Sequence, residues 1–159
     1  MNWYVLFVLK QCEDRLCSYL NQNEISVFSA KYEHYRRDTK SLEIKSLFPG
    51  YLFMKTTLNS HEVKDYLSKL EHKKGLICQL QYQDVSALRK EEIQILDMLL
   101  DKEGILRASK AHLENKKLVI DEGPLKGLDD YIVKYDKRNK EAYLDLFFIK
   151  QQWKATVLA

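Results

Sequence analysis

The hydrophobic pattern of the chain changes period several times, and each change predicts an element. Residues 3–9 are apolar without a break, as in a strand covered on both faces. Over residues 11–21 the spacing turns helical: Cys12, Leu16, Tyr19 and Leu20 recur on one side, with Glu13 and Asp14 in the first turn, where the helix dipole favours them. A second strand is predicted over 25–32. Leu47-Phe48-Pro49-Gly50 then reads as a fixed turn into a further strand, because Pro49 locks its own φ and Gly50 tolerates values other residues avoid. In that strand Tyr51, Phe53 and Lys55 share one face, and Leu52 and Met54 share the other. A helix is predicted over 59–70, capped by Asn59 or Ser60, buried through Val63, Tyr66, Leu67 and Leu70, and closed by Lys73-Lys74-Gly75. A short strand at 76–80 and a helix at 90–100, opened by Asp84 or Ser86, complete a β-α-β-β-α-β-α order. That order predicts a two-layer α/β sandwich over residues 1–100.

Residues 101–117 carry many charges and few large apolar groups, and read as a linker. Beyond them the period is two. Strands at 118–120, 131–135 and 142–149 are separated by Gly123-Pro124, Gly127 and Asp136-Lys137-Arg138-Asn139-Lys140. Short strands packed this closely predict a small SH3-like barrel over 118–159, of about five strands. The expected fold class is therefore α+β, with an antiparallel sheet and flanking helices first and a small β-barrel last.

Composition narrows this only slightly. Hydrophobic residues make up 45% and charged ones 31%, the balance of a soluble globular protein. No apolar run approaches the roughly 20 residues of a membrane helix. Cys12, Cys17 and Cys78 are odd in number and lack CxxC spacing, which fits a reducing cytoplasm better than a disulfide framework or a zinc site. His34, His61, His72 and His112 are scattered, Glu91 and Glu92 suit a solvated helix face, and Gly123-x-x-x-Gly127 is followed by neither G-K-[ST] nor a helix. No enzyme, cofactor or metal is expected. The net charge of +3 is patchy. Residues 31–45 interleave Lys31, His34, Arg36, Arg37, Lys40 and Lys45 with Tyr32 and Tyr35, either a solvated loop or a hairpin that contacts phosphates and offers stacking faces. The aromatic face of the strand at 51–55 is either an interior layer or a docking surface.

Two stretches together carry a family resemblance. Trp3-Tyr4-Val5 and Leu47-Phe48-Pro49-Gly50-Tyr51-Leu52-Phe53 resemble the N-terminal (NGN) domain of NusG-type transcription factors. Glu122-Gly123-Pro124-Leu125-Lys126-Gly127-Leu128, with Ile132-Val133-Lys134 and Asp136-Lys137-Arg138, resembles the KOW motif of the same family. The resemblance implies a monomeric elongation factor that docks on the clamp helices of RNA polymerase through Phe7, Phe48, Tyr51 and Phe53. It implies nucleic-acid contact, with the exposed DNA strand or a DNA or RNA hairpin, near Lys10 and Arg15. To these the tyrosine-bearing basic stretch adds Tyr35, Arg36, Arg37 and Lys40. A KOW barrel would recruit a ribosomal protein or a termination factor, or bind RNA, around Gly123, Lys126, Gly127, Lys137, Arg138, Lys140 and Phe148.

The divergent 31–45 region and the sparse glycines are similar to those of specialised antiterminators of the LoaP and RfaH sort. A housekeeping pausing or termination factor and a ribosomal-type RNA-binding protein are the alternatives. Asp130 stands where the KOW pattern has a further glycine, and Gln11-Cys12, before the first helix, stand where the family has a glycine-containing turn. One branch of the family folds its last domain as a masking helical hairpin. Here the β-branched and aromatic residues at 131–133 and 143–149, with Gly123, Pro124 and Gly127, favour a permanent barrel on a mobile linker, leaving Tyr51 and Phe53 accessible.

Overall fold

The computed structural model describes residues 2–21, 25–70, 76–80, 88–148 and 151–159. In chain order the elements are β1 (Asn2–Val8), α1 (Glu13–Leu20), β2 (Ser26–Phe28), β3 (Lys31–Arg36), β4 (Ser41–Ser46), β5 (Tyr51–Thr56), α2 (Ser60–Ser68), β6 (Leu76–Leu80) and α3 (Lys90–Leu99). They continue as β7 (Ile105–Leu106), β8 (Ser109–Glu114), β9 (Lys117–Glu122), a 3-10 turn (Asp129–Tyr131), β10 (Ile132–Asp136), β11 (Glu141–Phe148) and β12 (Gln151–Leu158). No helix among the described residues is long and apolar enough to cross a membrane.

The chain divides into two compact units, and the division is not linear. The first holds Met1–Ala30 and Phe48–Gln94; the second holds Lys31–Leu47 and Ile95–Ala159. The expected boundaries of 1–100, 101–117 and 118–159 thus differ from the observed ones in two places. The hairpin of residues 31–47 groups with the C-terminal strands, and the segment expected as a linker carries β7 and β8.

The first unit is built on an antiparallel sheet in the order β2-β5-β1-β6. Period two works as expected: Tyr4, Leu6 and Val8 of β1 and Leu52 and Met54 of β5 are buried in one core with Leu16 and Leu20 of α1 and Val63 and Leu67 of α2. The turn into β5 is closed by the Tyr51 N–H donating to the Phe48 carbonyl at 3.1 Å. Gly50 takes φ +88°, the conformation a Pro-Gly type II turn demands. Its carbonyl accepts from Val8 N–H at 2.7 Å, which fastens the turn to β1. Asn59 caps α2 in a full capping box: its side chain accepts from Glu62 N–H at 2.9 Å, and the Glu62 carboxylate accepts from Asn59 N–H at 3.1 Å. The strand predicted over 25–32 is broken, because β2 ends at Phe28 and β3 begins at Lys31 in the other unit. The signals placed at Lys73-Lys74-Gly75 and at Asp84 or Ser86 lie outside the described residues.

The second unit contains two sheets, one of order β4-β3-β7 and one of order β10-β11-β12-β8-β9. In the latter, β12 and β8 run parallel and the other neighbours antiparallel. Ile120, Leu125, Ala142, Leu144, Trp153, Ala155 and Val157 are its buried apolar residues. β8 and β9 are joined by Asn115 and Lys116, both at positive φ, the pattern of a tight two-residue hairpin turn. β3 pairs with β7 in parallel, Lys31 opposite Ile105. The Thr156 hydroxyl donates to the Glu33 carbonyl, and the Glu33 carboxylate accepts from Ala108 N–H at 2.7 Å, so the early hairpin is bonded into the late strands.

Candidate functional site

The face of the first sheet opposite its helices is a row of rings. Trp3, Val5 and Phe7 of β1 stand opposite Lys55, Phe53 and Tyr51 of β5, and Phe28 of β2 stands opposite Phe53. Phe28 and Phe53 stack at 5.4 Å between centroids, and Phe48 meets Phe53 edge-on at 6.2 Å. At one end of the row the Lys55 ammonium lies 4.3 Å from the Trp3 ring centroid. At the other end Phe7 and Tyr51 form a T-shaped pair at 5.3 Å. Of the four residues expected to dock a partner, Phe53 and Phe48 are interior, 0% and 2% exposed. Phe7 and Tyr51 are half-buried and keep surface of their own. The expectation that Phe53 lies accessible beside Tyr51 is corrected by its position: it is the middle ring, flanked by Phe28 and Phe48, so one face of a strand is not one exposure.

The basic candidates separate between the units. Lys10 and Arg15 belong to the first, both exposed, with an Arg15 guanidinium nitrogen 3.4 Å from Cys12 Sγ. Between them Gln11 takes φ +72°, the left-handed conformation that a glycine would adopt without strain. Tyr35, Arg36, Arg37 and Lys40 belong to the second unit, at the end of the β3–β4 hairpin. Arg36 is tied to Asp38 at 2.7 Å and to Glu43 at 3.5 Å, and Lys45 to Glu43 at 3.2 Å. The Arg36 hydrogen bond holds the Asp38 carboxyl below its usual pKa, so that pair stays ionic. Arg37 instead donates to the Asn139 side-chain oxygen at 3.5 Å. Lys40 has no ion-pair partner among the described residues. A shallow cleft of about 600 Å³ is lined by His34, Tyr35, Arg36, Arg37, Asp38, Glu43, Lys45 and Asn139.

The residues of the KOW-like stretch take two different roles. Gly123 sits at φ +111°, and a Cβ there would come within 2.6 Å of Ser109 Cα. The buried Ser109 hydroxyl accepts from Leu125 N–H at 3.1 Å, so this turn is packed directly on β8. Gly127, at φ +84°, and Lys126 are exposed. Asp130, which stands where the KOW pattern has a further glycine, lies in the 3-10 turn Asp129–Tyr131, where Asp129 accepts from Ile120 N–H at 2.9 Å. Lys137, Arg138 and Lys140 form the β10–β11 turn, which Asp136 organises by accepting from the Arg138 and Asn139 amides at 3.0 and 3.1 Å. Phe148 ends β11, and its side chain lies outside the described residues. The sequence reading missed Asn139, the bridge between the hairpin turn and the β10–β11 turn. It also missed the partners of His112, whose Nδ1 lies 2.8 Å from Asp121 and Nε2 3.4 Å from Glu114.

A family model described as transcription termination factor nusG matches residues 1–97. No curated protein matches the chain.

Proposed function

Since the chain belongs to the NusG family, we propose that it is a cytoplasmic, monomeric elongation factor that docks on the clamp helices of RNA polymerase and modulates termination. The half-buried Phe7–Tyr51 pair carries this reading: two rings at 5.3 Å, inside the matched span, at the end of an aromatic row whose interior is already packed. Aromatic pairs of that kind are the usual anchors of an interface. Phe48 and Phe53 belong instead to the packed interior of the row, against each other and Phe28. The C-terminal sheet is proposed as a KOW-type, SH3-like barrel, and the basic hairpin around Arg37 and Lys40 as a nucleic-acid contact. The role is a binding one, without catalysis. The basic hairpin in place of a plain loop favours a specialised antiterminator, with a housekeeping pausing or termination factor as the second reading.

The test separates the two kinds of ring. Tyr51→Ala should leave the fold intact and weaken polymerase binding by about 1–3 kcal/mol. Phe53→Ala should instead destabilise the first unit by about 3–5 kcal/mol. Polymerase affinity by titration and stability by denaturant unfolding read the two effects, and wild-type affinity in a folded Tyr51→Ala variant overturns the docking assignment.

A further inference from the structure

The β3–β4 turn and the β10–β11 turn come from opposite ends of the chain, yet the second unit holds them side by side. Arg37 of one donates to Asn139 of the other. The Lys140 ammonium lies 5.7 Å from the Tyr35 ring centroid. Both turns are built alike, closing on a lysine at positive φ, Lys40 at +54° and Lys140 at +55°. Residues 36–45 and 136–140 together carry seven cations against three carboxylates. Each of those carboxylates is engaged: Asp38 by Arg36, Glu43 by Arg36 and Lys45, and Asp136 by the amides of its own turn. Arg37, Lys40, Lys137 and Arg138 are exposed and have no ion-pair partner among the described residues.

We propose that the two turns form one composite site for single-stranded nucleic acid, with the C-terminal sheet as its fixed second half. The inference rests on the nucleic-acid reading of the hairpin and extends it to a residue set that the sequence assigns to a different domain. The cationic rim supplies phosphate contacts on both sides of the cleft. The cleft is lined by His34 and Asn139, an imidazole and an amide that stack on a base or hydrogen-bond its edge, while Tyr35, next to His34 in β3, presents its ring on the opposite face beside Lys140. A duplex keeps its bases within its own stack and cannot offer one to such a cleft, which is why a single strand is the fitting ligand.

The test uses the full chain and fluorescein-labelled single-stranded DNA and RNA of mixed sequence, about 12 nucleotides long. Anisotropy titrations from about 50 to 200 mM salt give the slope of log affinity against log salt. Arg37→Ala with Lys40→Ala should flatten that slope by about 1.4, and Lys137→Ala with Arg138→Ala by about as much, since each single-strand contact contributes roughly 0.7. The four substitutions lie on exposed turns, and circular dichroism checks that the fold survives. A comparable affinity for both oligonucleotides marks the sugar-phosphate backbone as the target; a preference for one identifies the natural strand. If only the hairpin pair flattens the slope, the composite site is overturned while the hairpin reading stands. If neither pair does, or no oligonucleotide binds, both are overturned. Tighter binding of a duplex of the same sequence, or equal competition by polyglutamate, also overturns the assignment.

Discussion

At the scale of single residues, Gly123 is where one methyl group does most damage. A Cβ there meets main-chain atoms of β8, 2.6 Å from Ser109 Cα, and Gly123 also occupies φ +111°. Neither obstacle can rotate away. Gly123→Ala should destabilise the second unit by about 2–4 kcal/mol, strain and overpacking together. Gly127→Ala, at φ +84° with open space around it, should cost only about 1 kcal/mol. Urea unfolding of the two variants measures the gap, and equal losses would refute the role of the Ser109 contact.

His112 makes a second prediction, in pH. The hydrogen bond to Asp121 first, then that to Glu114, raises its pKa above the usual imidazole value. A raised folded-state pKa stabilises the protonated form. The contribution is therefore fully present below the unfolded value of about 6.5 and is lost as pH rises through the folded value. The difference in thermal midpoint between wild type and His112→Gln should be largest near pH 5.5 and shrink by about pH 8. A gap that does not change with pH would mean that the imidazole packs without titrating.

Among the elements, those that carry their own apolar stripe were legible. α1, α2 and β5 bury the residues their periods select, and the Asn59 cap is visible as a short motif. β8 was not legible, because the residues it turns inward are small. Ser109 is fully buried and Ala111 half-buried, His112, Leu113 and Glu114 are exposed, and the turn that follows uses Asn115-Lys116 without a glycine. A charge-rich stretch therefore reads as a linker although it is a hairpin arm. β12, which none of the expected strands covers, buries Trp153, Ala155 and Val157 in alternation.

Within the segment expected as a linker, Arg107 and Lys110 should accordingly resist proteolysis. Arg107 is held by Asp101 at 2.7 Å, Glu103 at 3.3 Å and Glu33 at 3.6 Å, and Lys110 lies within β8. Limited trypsin digestion should leave both intact while cutting first at exposed turns such as Lys137-Arg138. Early cleavage at Arg107 or Lys110, releasing two stable fragments, would restore the mobile tether.

For the whole molecule, sequence period placed the rings on the right face but could not say what lies over them. Tyr51 and Phe53 share a face, as expected, yet one is half-buried and the other sealed by Phe28 and Phe48. The nucleic-acid candidates were legible as a basic stretch. Their union with the β10–β11 turn was not, because it depends on pairing between strands far apart in the chain. That pairing, β3 beside β7, has a consequence for synthesis. While the ribosome extends the chain one residue at a time, β3 and β4 emerge early, but β3 gains its second neighbour only after Leu106 has been made. Until then the nascent hairpin carries an unpaired β3 edge, and waits through the whole production of β5, α2, β6 and α3. The second unit can close only after β12 has been made, and its earliest-made part is the last to be sheltered.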